Sequence, residues 1–145
     1  MSIDSIRAAI EQRFIDNWTD TPLATGVRWS NRPFKPPATA WVSLDVRFTF
    51  SRNSTIGSTT IAVRRSGSIF VDIYTPVDSG TGSTTVSVDN LLAIFENVQF
   101  ATADAGTTQI QCLAADIRHT GVPNIQGLDP MWYKYSVRVP FYRYE

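Results

Sequence analysis

The stretch Thr59–Pro76, TTIAVRRSGSIFVDIYTP, limits most strongly what this chain can fold into. Its second half alternates without a break: Ile69, Val71 and Ile73 fall on one side of an extended chain, and Phe70, Asp72 and Tyr74 on the other. Successive side chains of a strand point to opposite faces, so this run makes a sheet with one apolar side. A second β-branched run, Thr59–Val63, precedes it, and Arg64-Arg65-Ser66-Gly67 separates the two. The arrangement reads as a β-hairpin with Arg64 and Arg65 at its tip and Gly67 supplying the positive φ of a tight turn. Pro76 has no N–H to donate and closes the second strand.

The remaining elements are read around this pair. Trp41–Phe50 alternates, with Val42, Leu44, Val46, Phe48 and Phe50 on one face and Trp41, Ser43, Asp45, Arg47 and Thr49 on the other. The polar link Ser51–Ser58 joins it to the hairpin, which suggests an antiparallel meander. Thr108–His119 reads as one further strand. Met131–Tyr144 reads as the last, with Tyr133, Tyr135, Val137, Val139 and Phe141 opposite Trp132, Lys134, Ser136, Arg138, Pro140 and Tyr142. Pro140 places the end of that strand at an edge or a bulge. Residues 3–17 carry Ile3, Ile6, Ile10 and Phe14 at helical spacing, with Ser2 or Asp4 as a cap. A second helix is expected over Thr84–Val98 on the stripe Val88, Leu91, Leu92, Phe95 and Val98, with Asp89 near its positive end. Residues 22–40 hold four prolines and read as an irregular loop, whose Trp29 and Phe34 are either buried anchors or partner contacts. The class is therefore α+β: a mainly antiparallel sheet of about five strands with two helices on one face, one domain over residues 1–145.

Composition narrows the function by exclusion. Thirteen basic and thirteen acidic residues give a formal net charge of zero, so phosphate neutralisation has no compositional basis. Cys112 is the single cysteine, which leaves no internal disulfide and no thiolate metal cluster; in its strand-like run a buried, inert thiol is expected. The N-terminus lacks the apolar core of a signal peptide and no run of about 18 apolar residues spans a membrane, so a soluble, intracellular chain is expected. His119 is the only histidine and stands in no zinc or triad pattern. The glycines of Val77–Thr85 are followed by no lysine, which removes a phosphate-binding loop. Asp45, Asp72 and Asp116 fall on polar strand faces, where pairing with Arg47, Arg64, Arg118 or Arg138 is expected.

Trp41, Phe70, Tyr74, Trp132, Tyr142 and Tyr144 all fall on the outward strand faces, away from the helices. Such residues dominate protein interfaces, so the pattern points to assembly. Arg64, Arg65, Phe70, Tyr74, Trp132 and Tyr142 are the candidate contacts.

Taken together, the N-terminal helix ending RFIDNW, the segment Val27–Pro37 (VRWSNRPFKPP), the strand WVSLDV, the run RRSGSIFVDIYTP and the closing WYKYSVRVPFYRY resemble the bacteriophage tail terminator (minor tail protein) family of long-tailed phages. The resemblance implies an α/β sandwich that forms hexameric rings. It implies that the ring caps the head-proximal end of the tail tube, ends tube polymerisation and helps join the head. The implied partners are further copies of the chain, the tail tube protein and a head–tail connector or stopper protein. DNA would pass through the lumen without being read. The implied place is the virion tail, after assembly in the host cytoplasm. No catalytic residue, metal or cofactor comes with the resemblance, and no membrane. Ser51–Ser58, Val77–Thr85 and His119–Pro130 would be the loops that meet tube and neck. Another head–tail connector or tail completion protein, or a small ligand-binding α+β domain, are the alternatives.

Overall fold

The computed structural model describes residues 3–18, 27–29, 41–53, 63–76, 82–101, 109–121 and 132–144. In chain order these form α1 (Ile3–Asn17), β1 (Val27–Trp29), β2 (Trp41–Asn53), β3 (Val63–Pro76), α2 (Gly82–Phe95), β4 (Gln99–Phe100), β5 (Ile110–Cys112), β6 (Asp116–Gly121) and β7 (Trp132–Tyr144). Two helices cover one face of a seven-stranded sheet of order β1-β2-β3-β7-β5-β4, with β6 also on the edge of β7. Every pairing is antiparallel except β1 with β2. The expected class holds, with seven strands where about five are expected.

The chief correction concerns Arg64–Gly67. These residues form no turn. They lie within the continuous strand β3, which pairs with β2 from Val63 to Tyr74 and with β7 from Arg64 to Pro76. Residues 59–62, the expected first arm of the hairpin, lie outside the described residues. Gly67 serves close approach here. A Cβ at this position would meet the Arg47 carbonyl oxygen at 2.4 Å and Phe141 Cζ at 2.7 Å. The rings of Phe48 and Phe141, register neighbours of Gly67 on either side, meet edge to face at 5.8 Å over it.

A bulge in β2 follows at once. Phe48 pairs with Gly67, but Phe50 pairs with Ser66, so Thr49 is the extra residue; its hydroxyl donates to the Ser66 carbonyl at 3.2 Å. The slip sends Phe50 to the outer face, where it is 50% exposed, against the expectation that it shares the core face with Phe48.

The core lies between sheet and helices. Ile6, Ile10 and Phe14 descend from α1, with Trp18 directly after it, and Val88, Leu91, Ile94 and Phe95 from α2. They meet Val42, Leu44, Ile69, Val71, Ile73, Val137, Val139 and Phe141 of the three long strands. Each fully buried side chain of this size is worth about 1.5–3 kcal/mol of hydrophobic transfer. Phe14 joins three elements, stacking on Trp18 at 5.1 Å and Phe95 at 6.3 Å and meeting Trp29 edge-on at 6.0 Å. Trp29 is thus an anchor inside a short strand, β1, in a region read as loop throughout; Phe34 lies outside the described residues.

The second helix begins at Gly82, so the last four residues of the expected loop Val77–Thr85 are helical and Asp89 sits two turns in, away from the positive end. It ends at Phe95, before the expected Val98, and Asn97 follows with φ 51°, the left-handed conformation that stops helices. Arg13 Nε donates to the freed carbonyl of Ile94 at 2.7 Å while its guanidinium covers Phe100.

The expected strand Thr108–His119 is two strands, because Leu113–Ala115 leave the ladder and β5 and β6 pair with β7 in registers one residue apart. The break is held by Glu96, which accepts from the Ala115 N–H at 2.9 Å. Pro140 lies opposite it and accepts from Leu113 N–H at 2.9 Å, so its missing donor faces the interruption. This lets a proline sit in a strand paired on both sides, an irregularity displaced onto the neighbour and not an edge.

Two outcomes follow. Gly67→Ala should destabilise the fold by about 1–3 kcal/mol, since backbone and a packed ring cannot both retreat; a chemical-denaturation midpoint at wild-type level would contradict this packing. Cys112 is buried, and burial pushes its thiol up to about 12. At pH 8 an aromatic disulfide reagent should therefore label it only after unfolding.

Candidate subunit and partner interface

The outer sheet face is built from the residues that alternate with the core set. Register rows run across it: Asp45–Phe70–Arg138–Asp116, Ser43–Asp72–Ser136–Arg118 and Trp41–Tyr74–Lys134. Toward the other end of the strands come Phe50–Ser66–Tyr142 and Arg52–Arg64–Tyr144. Phe70, Tyr74 and Tyr142 therefore share one face, as the alternation implies. Arg64 joins them. Arg65, its neighbour in sequence, points to the opposite face in register with the fully buried Arg143, and donates to Ser51 Oγ at 2.7 Å. The two arginines do not act as a pair. Trp132 pairs through its backbone with Pro76, and its side chain lies outside the described residues.

The aromatic rings of this face are not bare. A cation lies over each of four: Arg47 over Phe70 at 4.7 Å, Lys134 near Tyr74 at 5.6 Å, Arg64 over Tyr142 at 4.3 Å and Arg52 over Phe50 at 5.5 Å. Such contacts contribute about 0.5–1 kcal/mol each at exposed sites, and the aliphatic stems shade the rings from water. Trp41 stacks on Tyr74 at 4.0 Å and is buried although it faces outward. Burial, with the neighbouring Asp72 charge, raises the Tyr74 hydroxyl above its ordinary range, so it stays a neutral donor. The apolar surface left open is at the other end, where Phe50 is 50% and Tyr144 39% exposed.

Charge is unevenly shared between the layers. The outer face carries Arg28, Arg47, Arg52, Arg64, Arg118, Lys134 and Arg138 against Asp45, Asp72 and Asp116. The helices carry Asp4, Glu11, Asp16 and Asp89 against Arg7 and Arg13. Arg138–Asp116 at 3.6 Å is the expected cross-strand pair. Asp45 instead pairs along its own strand with Arg47 at 2.7 Å, and Asp72 pairs with Lys134 at 3.8 Å. The acids thus lie in the half of the face that holds Phe70 and Tyr74. Arg52 and Arg64 stand directly opposite each other with no ion pair among the described residues. A groove of about 480 Å³ between Phe70, Asp72, Asp116, Arg118 and Arg138 is shallow and mixed in charge. No group of three metal-ligating side chains occurs among the described residues.

A surface of shaded aromatics and guanidinium groups suits recognition of another protein. Comparison with known proteins supplies the family. The model of the phage tail terminator protein family matches residues 5–141. The chain belongs to that family. Its role is structural, in a phage tail and among other tail components. A solved structure shares the fold, with a TM-score of 0.69 at 22% identity over 100% of this chain and 96% of its own. No curated protein sequence matches. Among the described residues no helix is long and apolar enough to cross a membrane.

Sequence reasoning missed Phe50 and Arg52 as members of this face, and it placed Arg47 there without its contact to Phe70. Phe50 was hidden by the bulge, and the ring contacts of the arginines by the absence of any sequence signal for a cation above a ring two residues or one strand away. Because Asp116 and Arg138 are both open to solvent, Asp116→Asn should move the unfolding free energy by no more than about 0.5 kcal/mol; a loss of several kcal/mol would assign the pair to the fold.

Proposed function

We propose that the protein caps the head-proximal end of the tail tube as a ring of identical subunits, a hexamer, ends tube polymerisation there and offers its free side to the head–tail connector. The family match over residues 5–141 carries this reading. The geometry supports it: one side of the sheet is closed by helices, and the other presents arginines and aromatics, the residue types that anchor protein interfaces. A ring closes when a head-to-tail contact repeats through a rotation that divides the circle, using each surface once. DNA would cross the lumen without being gripped. Arg64, Phe70, Tyr74 and Tyr142 are the proposed subunit or partner contacts, with Trp132 beside them on β7.

Tails assembled without this protein test the reading. Electron microscopy should find overlong tubes lacking attached heads, and addition of the purified protein during assembly should restore a fixed length. Tails of normal length in its absence would sink the capping role.

A further inference from the structure

Among the described residues the outer sheet face holds seven cations against three carboxylates, while the two helices hold four carboxylates against two arginines. The surplus positive charge has a focus. Arg52 and Arg64 are direct cross-strand neighbours, an arrangement that disfavours the isolated sheet. Both lean over rings, and Phe50 and Tyr144 beside them are the open apolar surface of that end. Helix α1 carries a matching stripe. Asp4, Ala8, Glu11 and Ile15 follow one another at i+4, i+3 and i+4, opposite the buried Ile6, Ile10 and Phe14. Ile15 is 51% exposed, so the stripe offers carboxylates at one end and in the middle and an aliphatic group at the other.

We infer that the Arg52–Arg64 end of the outer sheet face seats the Asp4–Ala8–Glu11–Ile15 stripe of α1 from a neighbouring copy. This names the contact of the ring proposed above and rests on that reading. Charge complementarity selects a second copy over nucleic acid. The Asp4 and Glu11 carboxylates that would meet these arginines are carried by the same chain on its helical layer, so a head-to-tail contact brings the two surfaces together. A repeated contact of this kind, sheet face to helix face, is heterologous and generates a closed ring or a filament. The arginines that strain a lone sheet would be relieved on assembly. Arg7, which bridges Asp4 and Glu11 at 2.6 Å each, holds those carboxylates in place within the free subunit.

Charge reversal and exchange test the pairing, read by native mass spectrometry and sedimentation with and without tail tube protein. Arg52→Glu with Arg64→Glu, and separately Asp4→Lys with Glu11→Lys, should each weaken ring formation at least tenfold while circular dichroism and the unfolding midpoint confirm a folded subunit. The two variants mixed together, or combined in one chain, should regain assembly. A wild-type chain that stays monomeric even with tube protein overturns the ring reading, and this contact with it. A wild-type ring indifferent to both reversals overturns this contact alone, as do reversals without rescue. Arginine reversals that spare the ring but abolish retention on DNA at physiological salt would assign the patch to the DNA in the lumen and overturn it too.

Discussion

Strand β3 is paired along almost its whole length on both edges, to β2 on one side and β7 on the other, and the rest of the molecule depends on that double ladder. Register in a sheet is binary, because a slip by one residue moves every side chain to the other face. With both edges of β3 locked, Ile69, Val71 and Ile73 can only face the helices, and Phe70, Asp72 and Tyr74 can only face outward. The helices then add cover. Phe14 stacks between α1, α2 and β1, and Arg13 closes the end of α2, so the helical layer is tied to itself as well as to the sheet.

The same ladder carries its own irregularities, and each has a cause in side-chain volume or backbone chemistry. Gly67 leaves room for the rings of Phe48 and Phe141, and the bulge at Thr49 turns the end of β2 over. Pro140 removes one donor from β7, and the neighbouring strand is interrupted at that place. The consequence for the outer face lies in the bulge. By sending Phe50 and Arg52 outward it gathers them with Arg64, Tyr142 and Tyr144 into a patch that an unbroken β2 would have split between two faces. The chain belongs to a structural phage tail family, and this patch of its outer face is a product of backbone irregularity.

Much of this was legible in the residues. Helix α1 lies over the expected span, the class is as expected, and the period-2 runs placed Phe70, Tyr74 and Tyr142 on one face without a coordinate. The misreadings share one origin. Arg64-Arg65-Ser66-Gly67 has the composition of a turn, but pairing with two long neighbours outweighs local preference when each residue gains ladder bonds on both sides. Val27–Trp29 and Gln99–Phe100 are too short to show a period, and their strand character comes from the partner strand alone.

What the sequence by itself determined is the sidedness of the protein. Apolar periodicity marks the faces of the long runs, and hydrophobic burial enforces that choice at Ile69, Val71, Ile73, Val137 and Val139. What only the tertiary structure decided is adjacency. That Arg52 faces Arg64, that Arg64 covers Tyr142, and that Gly67 is squeezed between Phe48 and Phe141 depend on contacts between residues far apart in the chain. Local propensity carries no information about them, because the energy that fixes them is released only when the strands meet.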